Sequence, residues 1–398
     1  MSNKNKIVLA FSGGLDTSYC VPYLQETFDA NIHTVLVDTG GFTEQQLSDI
    51  EEHAYSLGTD SHQTLRQTEE FYEKVIRYLI FGNVLKNDTY PLSVSSERIF
   101  QAVAIAEYAT SIGADAIAHG STGAGNDQVR FDLVFNVIAP DLQIITPIRD
   151  QQLSRQQEVK FLQDHGFDFD WAQSKYSINK GLWGTSVGGA ETLTSDEPLP
   201  EEAWPSQLKK QESQTIELKF EDGEPVAING TQYNPVKLIQ HLDELASAYA
   251  VGRDIHVGDT IIGIKGRVGF EAAAPMVLIH AHKHLEKHVL AKWQLYWKDQ
   301  LSEWYGMMLH EGQYLDPVMR DIENFMESTQ QAVSGLVQIT LHPYRFDIDG
   351  ISSPNDLMSA KFGDYGEMNK AWSGEDVKGF AKILSNQINI HKAMNSND

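Results

Sequence analysis

The run Ala10-Phe11-Ser12-Gly13-Gly14-Leu15-Asp16-Thr17-Ser18 constrains this chain most. It joins an apolar stretch, Ile7–Phe11, to residues Leu15–Thr27, whose spacing predicts a helix. Two adjacent glycines let a backbone turn tightly and come close to a ligand. Ser12, Thr17 and Ser18 add hydroxyls, and the helix start adds free N–H groups and a positive dipole end. Strand, glycine turn and helix N-terminus together make an anion cradle. Asp16 falls in the first helical turn, where a carboxylate beside phosphates makes sense with a bridging Mg²⁺ ion. Ser-Gly-Gly alone would also suit an ordinary strand–helix turn, with Asp16 as a helix-start residue. The full string at the end of a first strand favours the cradle. No Gly-Lys pair and no G-x-G-x-x-G run occurs, which excludes a Walker A loop and a dinucleotide fingerprint.

The surrounding pattern alternates. Ile32–Val37 is a second apolar run, and Thr43–Leu57, Thr68–Phe81 and Ser95–Ile112 have helical spacing. Ala114–Ala118 and Gln143–Thr146 read as strands, and Ser154–His165 as a helix. Alternation at this spacing predicts an α/β domain with a parallel sheet over residues 1–168. From Thr215 onward the pattern is α+β. Strand-like runs are broken by Asp222-Gly223 and Asn229-Gly230, both hairpin signals. Pro235–Ala250 and Met276–Leu290 read as helices, and Thr260–Ile264 as a strand. This predicts a second domain over 169–370. Val377–Met394 places Phe380, Ile383, Leu384 and Ile388 at helical spacing. That terminal helix either closes its own domain or packs on another subunit.

Composition narrows the function. The 398 residues suffice for two or three domains. Lys and Arg number 31 against 55 Asp and Glu, a formal net charge of −24. Such a chain repels a phosphate polyanion, which argues against broad nucleic-acid binding. The single cysteine, Cys20, excludes a disulfide framework, a Cys-based zinc finger and a two-cysteine redox pair. No apolar run has the length of a membrane span. A cytosolic protein without membrane partners is the expectation.

Two further clusters carry chemistry. His119-Gly120-Ser121-Thr122-Gly123-Ala124-Gly125-Asn126-Asp127-Gln128-Val129-Arg130 follows a predicted strand, so its polar groups belong at the carboxyl edge of the sheet. Thr122 and Asn126 suit a carboxylate, Asp127 an ammonium, and Arg130 a bidentate carboxylate clamp. A helix cap after a flexible loop would use the same residues. Tyr176 to Gly189 is rich in Gly and Ser. It either lines a pocket or forms a surface loop pinned by Trp183. His280, His282, His284 and His288 read as a solvated helix face.

The loop Ser12–Ser18 resembles the PP-loop of the ATP pyrophosphatases. All three clusters in their order, with Gly223-Glu224-Pro225-Val226-Ala227, Val251-Gly252-Arg253, Gly263-Ile264-Lys265 and His280-Ala281-His282, resemble the argininosuccinate synthases. The resemblance implies ligation of citrulline and aspartate with ATP and Mg²⁺, giving argininosuccinate, AMP and pyrophosphate. It implies a nucleotide-binding domain, a synthetase domain and a C-terminal oligomerisation helix (371–398) in a homotetramer. By position it assigns ATP to residues 10–18, Val37 and Gly120. It assigns aspartate to Thr122, Asn126 and Asp127, and citrulline to Tyr90, Ser95, Asn126, Arg130, Ser177 and Ser186. Asp16 and Arg130 are the residues expected nearest the reacting centre. Another PP-loop amidating ligase is an alternative, but it would need an ammonia source, and no such element is visible.

Four positions depart from that family's pattern. Ala124 stands where the family has Lys. Ser93-Val94-Ser95-Ser96-Glu97-Arg98-Ile99 replaces Gly-Thr-Ser-Leu-Ala-Arg-Pro. Gly258 replaces a Glu that binds the citrulline amine, and Phe270 replaces a Tyr. Either another acid, Asp259, Glu191 or Glu271, supplies the missing charge, or affinity for citrulline is simply lower, or the substrate is a citrulline acylated on its α-nitrogen.

Overall fold

Along the first strand, β1 (Lys6–Ala10), side chains alternate between two cores. Ile7 and Leu9 join Leu15, Cys20 and Leu24 on one face, and Val8 and Ala10 join Val35, Val37 and Phe100 on the other. A strand buried on both faces reads as a continuous apolar run, as Ile7–Phe11 does. β2 (Asn31–Asp38), β3 (Ser61–Arg66), β4 (Ala116–His119) and β5 (Gln143–Ile145) complete a parallel sheet in the order β3-β2-β1-β4-β5. Ala10 lies beside Val35 on one side and His119 on the other. The chain therefore leaves β1 and β4, the two strands where winding reverses, into adjacent loops at the carboxyl edge. Open α/β sheets bind ligands there. The computed structural model describes residues 5–167, 169, 175–358, 366 and 371–395.

Beyond the parallel sheet the chain forms β6 (Ser177–Gly181), β7 (Gly184–Gly188), β8 (Gln214–Glu221), β9 (Glu224–Ile228), β10 (Thr231–Gln232), β11 (Arg253–Asp259), β12 (Lys265–Glu271), β13 (Gly335–His342) and β14 (Arg345–Ser352). They build two antiparallel sheets, β10-β9-β8-β13-β14 and β11-β12-β7-β6. The helices Pro235–Ser247, Ala273–Val289, Lys292–His310 and Pro317–Gln330 accompany them. The α/β organisation expected from sequence is present, with the parallel sheet first and antiparallel sheets after it. The two parts share a core. One buried cluster runs from Val35 through Phe71 and Leu79 to Leu278 and Val337.

Several local expectations are corrected. Thr260–Ile264 is not a strand but the turn between β11 and β12. Thr260 closes it by donating its backbone N–H and its hydroxyl to the Ile264 carbonyl, at 2.8 and 2.7 Å. The Gly- and Ser-rich stretch after Tyr176 is a hairpin, β6–β7, and not an irregular loop, with Trp183 at its tip buried as an anchor. The terminal segment is two helices, Gly374–Leu384 and Asn386–Asn395, separated at Ser385, with Phe380, Ile383, Leu384 and Ile388 exposed. His282 is not solvated. It is fully buried between Asn83 Oδ1 (2.7 Å) and Gln330 Oε1 (2.8 Å), because its helix face turns toward Phe220. Among the described residues no helix is long and apolar enough to cross a membrane. No group of three or more His, Cys, Asp or Glu side chains there converges on a metal position.

Candidate active site

The phosphate loop departs from β1 and enters the helix Leu15–Phe28 at Gly14, which has extended backbone and no side-chain cap. The first N–H groups of that helix have no intrahelical partners to bind. Gly13 has φ +76°, a left-handed conformation suited to glycine, and it packs toward Ile50. The Thr17 hydroxyl donates to the Gly14 carbonyl at 3.1 Å, and the Ser12 N–H reaches Thr17 Oγ1 at 3.4 Å, so the loop is folded on itself. Ser18 is different. It is fully buried, and its hydroxyl lies 2.8 Å from His53 Nε2, away from the open side of the loop.

The second loop reaches the first by close packing. A Cβ on Gly120 would stand 3.2 Å from the Asp16 carbonyl carbon and the Thr17 nitrogen. His119, just before it, is buried. Its Nε2 meets Asp132 Oδ1 at 2.9 Å, and its Nδ1 accepts from the Ser121 N–H at 3.2 Å. Arg149 holds the other Asp132 oxygen at 2.6 Å. Burial would raise the Asp132 carboxyl, but His119 and Arg149 outweigh it and hold it low.

Between these loops and the β6–β7 hairpin lies a cavity of about 1150 Å³. Ala10, Phe11, Ser12, Gly14, Leu15, Asp16 and Thr17 line one end, with Gly120 beside them. Val37, Gly40 and Gly41 line the wall from β2, and Asn179 and Lys180 the wall from β6. The hairpin and β2 loop touch backbone to backbone. A Cβ on Gly41 would overlap the Lys180 carbonyl.

The helix Ser93–Ser111 supplies the remaining wall with Glu97, Arg98, Gln101 and Ile105. Glu97 is 3% exposed, accepts the Thr39 hydroxyl and abuts Gly181, whose Cβ would lie 2.5 Å from Glu97 Oε1. Burial pushes its carboxyl up to about 7. Arg98 ties three elements together through Gln101 Oε1 (2.8 Å), Asn179 Oδ1 (3.0 Å) and Asp127 Oδ2 (3.3 Å). Burial would raise the Asp127 carboxyl, but Arg98 and Arg130 hold it below the usual range.

Of the expected aspartate residues, Asp127 lines the cavity and Thr122 is exposed at its rim loop. Asn126 is held by the turn after β11, its Oδ1 accepting the Ile261 N–H at 2.9 Å. Arg130 is 4% exposed, donating to the His310 carbonyl from Nε (3.0 Å) and Nη2 (2.9 Å) and to Asp127 Oδ1 (2.9 Å). Tyr90 is buried, accepts from the Ser93 hydroxyl and the Val94 N–H, and stacks on His256 at 5.0 Å. Phe270 lies 5.4 Å from Tyr90 and pairs in register with Ser186. Ser95 is buried against the Leu92 carbonyl, whereas Ser177 is exposed at the start of β6. The Trp183 indole donates to the Pro91 carbonyl at 2.9 Å, fixing the hairpin to the Tyr90 segment.

Sequence reasoning singled out none of Glu97, Arg98, Gln101, Asn179 or His119 as site residues. The signal for the first three was their i, i+1 and i+4 placement, which puts Glu97 and Gln101 on one helical face.

A phosphate loop, a second ligand loop and a charged helix face converging at the carboxyl edge of a parallel sheet define an adenine-nucleotide-dependent synthetase of the PP-loop class. Comparisons with known proteins narrow this. Residues 6–168 match the arginosuccinate synthase N-terminal HUP domain, and residues 176–391 match the arginosuccinate synthase C-terminal domain. The chain is 38% identical over 388 residues to a protein of Methanocaldococcus jannaschii named argininosuccinate synthase, covering 97% of each chain. It is 37% identical over 407 residues to one of the same name from Xanthomonas campestris pv. campestris, covering 99% of this chain and all of that one. A third, from Sulfurisphaera tokodaii, is 36% identical over 381 residues, 95% of this chain and 96% of that one. The chain belongs to the argininosuccinate synthase family, and it is an ATP-using carbon–nitrogen ligase of arginine biosynthesis that joins citrulline to aspartate.

Proposed function

We propose that the cavity binds ATP with its phosphates on residues 10–18 and Gly120 and its base against Val37. In this reading Thr122, Asn126 and Asp127 hold aspartate, and Tyr90, Ser95, Asn126, Arg130, Ser177 and Ser186 hold the citrulline. The observation that supports it is the single cavity running from the phosphate loop to Asp127.

The chemistry needs no enzyme nucleophile. The ureido oxygen attacks the α-phosphorus, the α–β bridging P–O bond breaks, and pyrophosphate leaves with the electron pair. Loop N–H groups stabilise that leaving charge. The aspartate amine then attacks the ureido carbon, loses a proton, and the C–O bond to AMP breaks. Holding the substrates in line with ATP supplies much of the rate, although the cavity itself is lined by Asp127 and not by Tyr90, Ser95, Arg130, Ser177 or Ser186. Arg130 commits Nη2 to the His310 carbonyl and to His310 Nδ1 at 3.4 Å, and one Nη1 hydrogen to Asp127, which leaves the other Nη1 hydrogen for a substrate carboxylate.

The acids behind the phosphate loop fit a divalent cation. Glu158 is buried, its Oε2 has no hydrogen-bond partner, and burial followed by Asp16 pushes its carboxyl up to about 8. Two carboxyls crowded beside a phosphate site suit Mg²⁺, and Asp16 with Glu158 behind it would hold the ion. Such an ion, when bound, offsets triphosphate charge.

Domains at 1–168 and 169–370, a 371–398 element that joins subunits into a homotetramer, and a cytoplasmic location belong to the same proposal. The exposed apolar row of the terminal helices supports the assembly role. Pyrophosphate release with ATP and Mg²⁺ tests the reading, with citrulline and aspartate added singly and together. Release that ignores both amino acids would sink it.

A further inference from the structure

Around Tyr90 the protein gathers positive and proton-rejecting groups. His256 on β11 is 6% exposed and stacks on Tyr90 at 5.0 Å, and its Nδ1 has no hydrogen-bond partner. Burial and then Lys86 drive its imidazole down to about 4. His310, whose carbonyl carries Arg130, is driven down to about 2 by burial, then by Arg130, Lys86 and His256. Burial is the larger cause at both imidazoles, and the neighbouring cations add to it. Both feel cations, and neither is raised by an anion.

Four acids that could supply the charge are already engaged. Asp127 is bound by Arg98 and Arg130. Asp259 is exposed and paired with Lys265 at 2.6 Å. Glu271 is bound by Arg253 at 3.1 Å and by the Ser206 hydroxyl at 2.6 Å, and Glu191 by Lys175 at 2.8 Å and by the Tyr176 hydroxyl at 2.8 Å. Phe270 adds a ring with no polar atom. An acid at Gly258 would displace the His256 ring, because a Cβ there would stand 2.6 Å from His256 Nε2. A free citrulline carries an ammonium at neutral pH. Placed here it would meet Lys86, Arg130 and two neutral imidazoles, and Asp127, Asp259, Glu271 and Glu191 already have partners. Among the described residues near by, that leaves only the exposed Asp88 of the Tyr90 loop as an acid without an ion pair.

We infer that the ureido substrate this site favours is a citrulline acylated on its α-nitrogen, whose amide is uncharged and whose carbonyl accepts a hydrogen bond. This rests on the assignment of Tyr90 and its neighbours to the citrulline side of the site. The acyl carbonyl finds a donor in Lys86 or in a neutral His256 with its proton on Nδ1. The ureido end, where phosphoryl transfer occurs, is untouched by the acyl group, so the reaction is unchanged. Preference arises from exclusion of the ammonium as much as from attraction of the amide.

The test is pyrophosphate release by the full chain with ATP, Mg²⁺ and aspartate, using citrulline, N-acetylcitrulline or N-succinylcitrulline. At least one acylated substrate should give a kcat/KM tenfold or more above that of citrulline. Any smaller ratio overturns the inference and leaves the ligase assignment standing, whereas no release with any of the three overturns the ligase assignment as well. A His256→Ala/Gly258→Glu double variant reads the cause. Removing the imidazole makes room for a carboxylate, and the ratio should fall at least tenfold toward citrulline. An unchanged ratio in a folded double variant would refute the electrostatic explanation. If that variant does not fold, the wild-type ratio alone decides.

Discussion

Replacing Glu97 by Gln should make the protein more stable at alkaline pH and leave it little changed in acid. Glu97 is 3% exposed, and burial pushes its carboxyl from the ordinary 4.5 to about 7. Between those two values the folded chain binds more protons at this site than the unfolded chain does. Stability must therefore fall as pH rises through that window. One pKa unit corresponds to about 1.4 kcal/mol, so a shift of this size removes about 3 kcal/mol by pH 8. Below pH 4.5 both states are protonated and the loss vanishes. Gln keeps the shape and an acceptor for the Thr39 hydroxyl, but it carries no charge to bury. Urea unfolding of both proteins from pH 5 to pH 8.5 measures the effect. Other groups titrate in this range, so the informative quantity is the difference between the two proteins. That difference should grow by about 3 kcal/mol in favour of Glu97→Gln between pH 5 and pH 8. A difference that does not vary with pH would show that Glu97 is not a buried acid in the folded state, and the argument would fail.

Three other outcomes follow from the same geometry. Gly41→Ala drives a Cβ into the Lys180 carbonyl, and with backbone on both sides the strain should cost about 1–3 kcal/mol, read as a KM for ATP raised tenfold or more. Trp183→Phe leaves the Pro91 carbonyl without its indole donor at about 1–3 kcal/mol, so its thermal midpoint should fall, and the KM for the ureido substrate should rise as Tyr90 loosens. Cys20 is fully buried and burial pushes its thiol up, so a thiol reagent at pH 8 should react with it only after denaturant is added; stoichiometric reaction of the native protein would contradict its place in the core.

The parallel-sheet half was legible because its signals are local. A buried strand before Ser12-Gly13-Gly14 and a helix directly after it are written in consecutive residues, and the loop conformation follows from them. The β6–β7 hairpin was not legible. Its residues, Ser177 to Gly188, mix glycines and serines with Lys180, Leu182 and Trp183 in no clean alternation, and β7 owes its strand character to pairing with β12, some 80 residues away. Thr260–Ile264 misled for the opposite reason. It is apolar like a strand, but Thr260 satisfies its own turn and the ladder runs on either side.

By itself, the sequence determined the phosphate loop, the α/β class of the first half and the resemblance to the family, because each depends on residues within one turn, strand or loop. Only the tertiary structure decided what those residues face. It placed Arg98 among Asp127, Gln101 and Asn179, buried Glu97 under Gly181, and set His256 over Gly258 beside Lys86 and His310. Charge at a site is the sum over everything packed around it, and most of that surrounding chain lies far away in sequence.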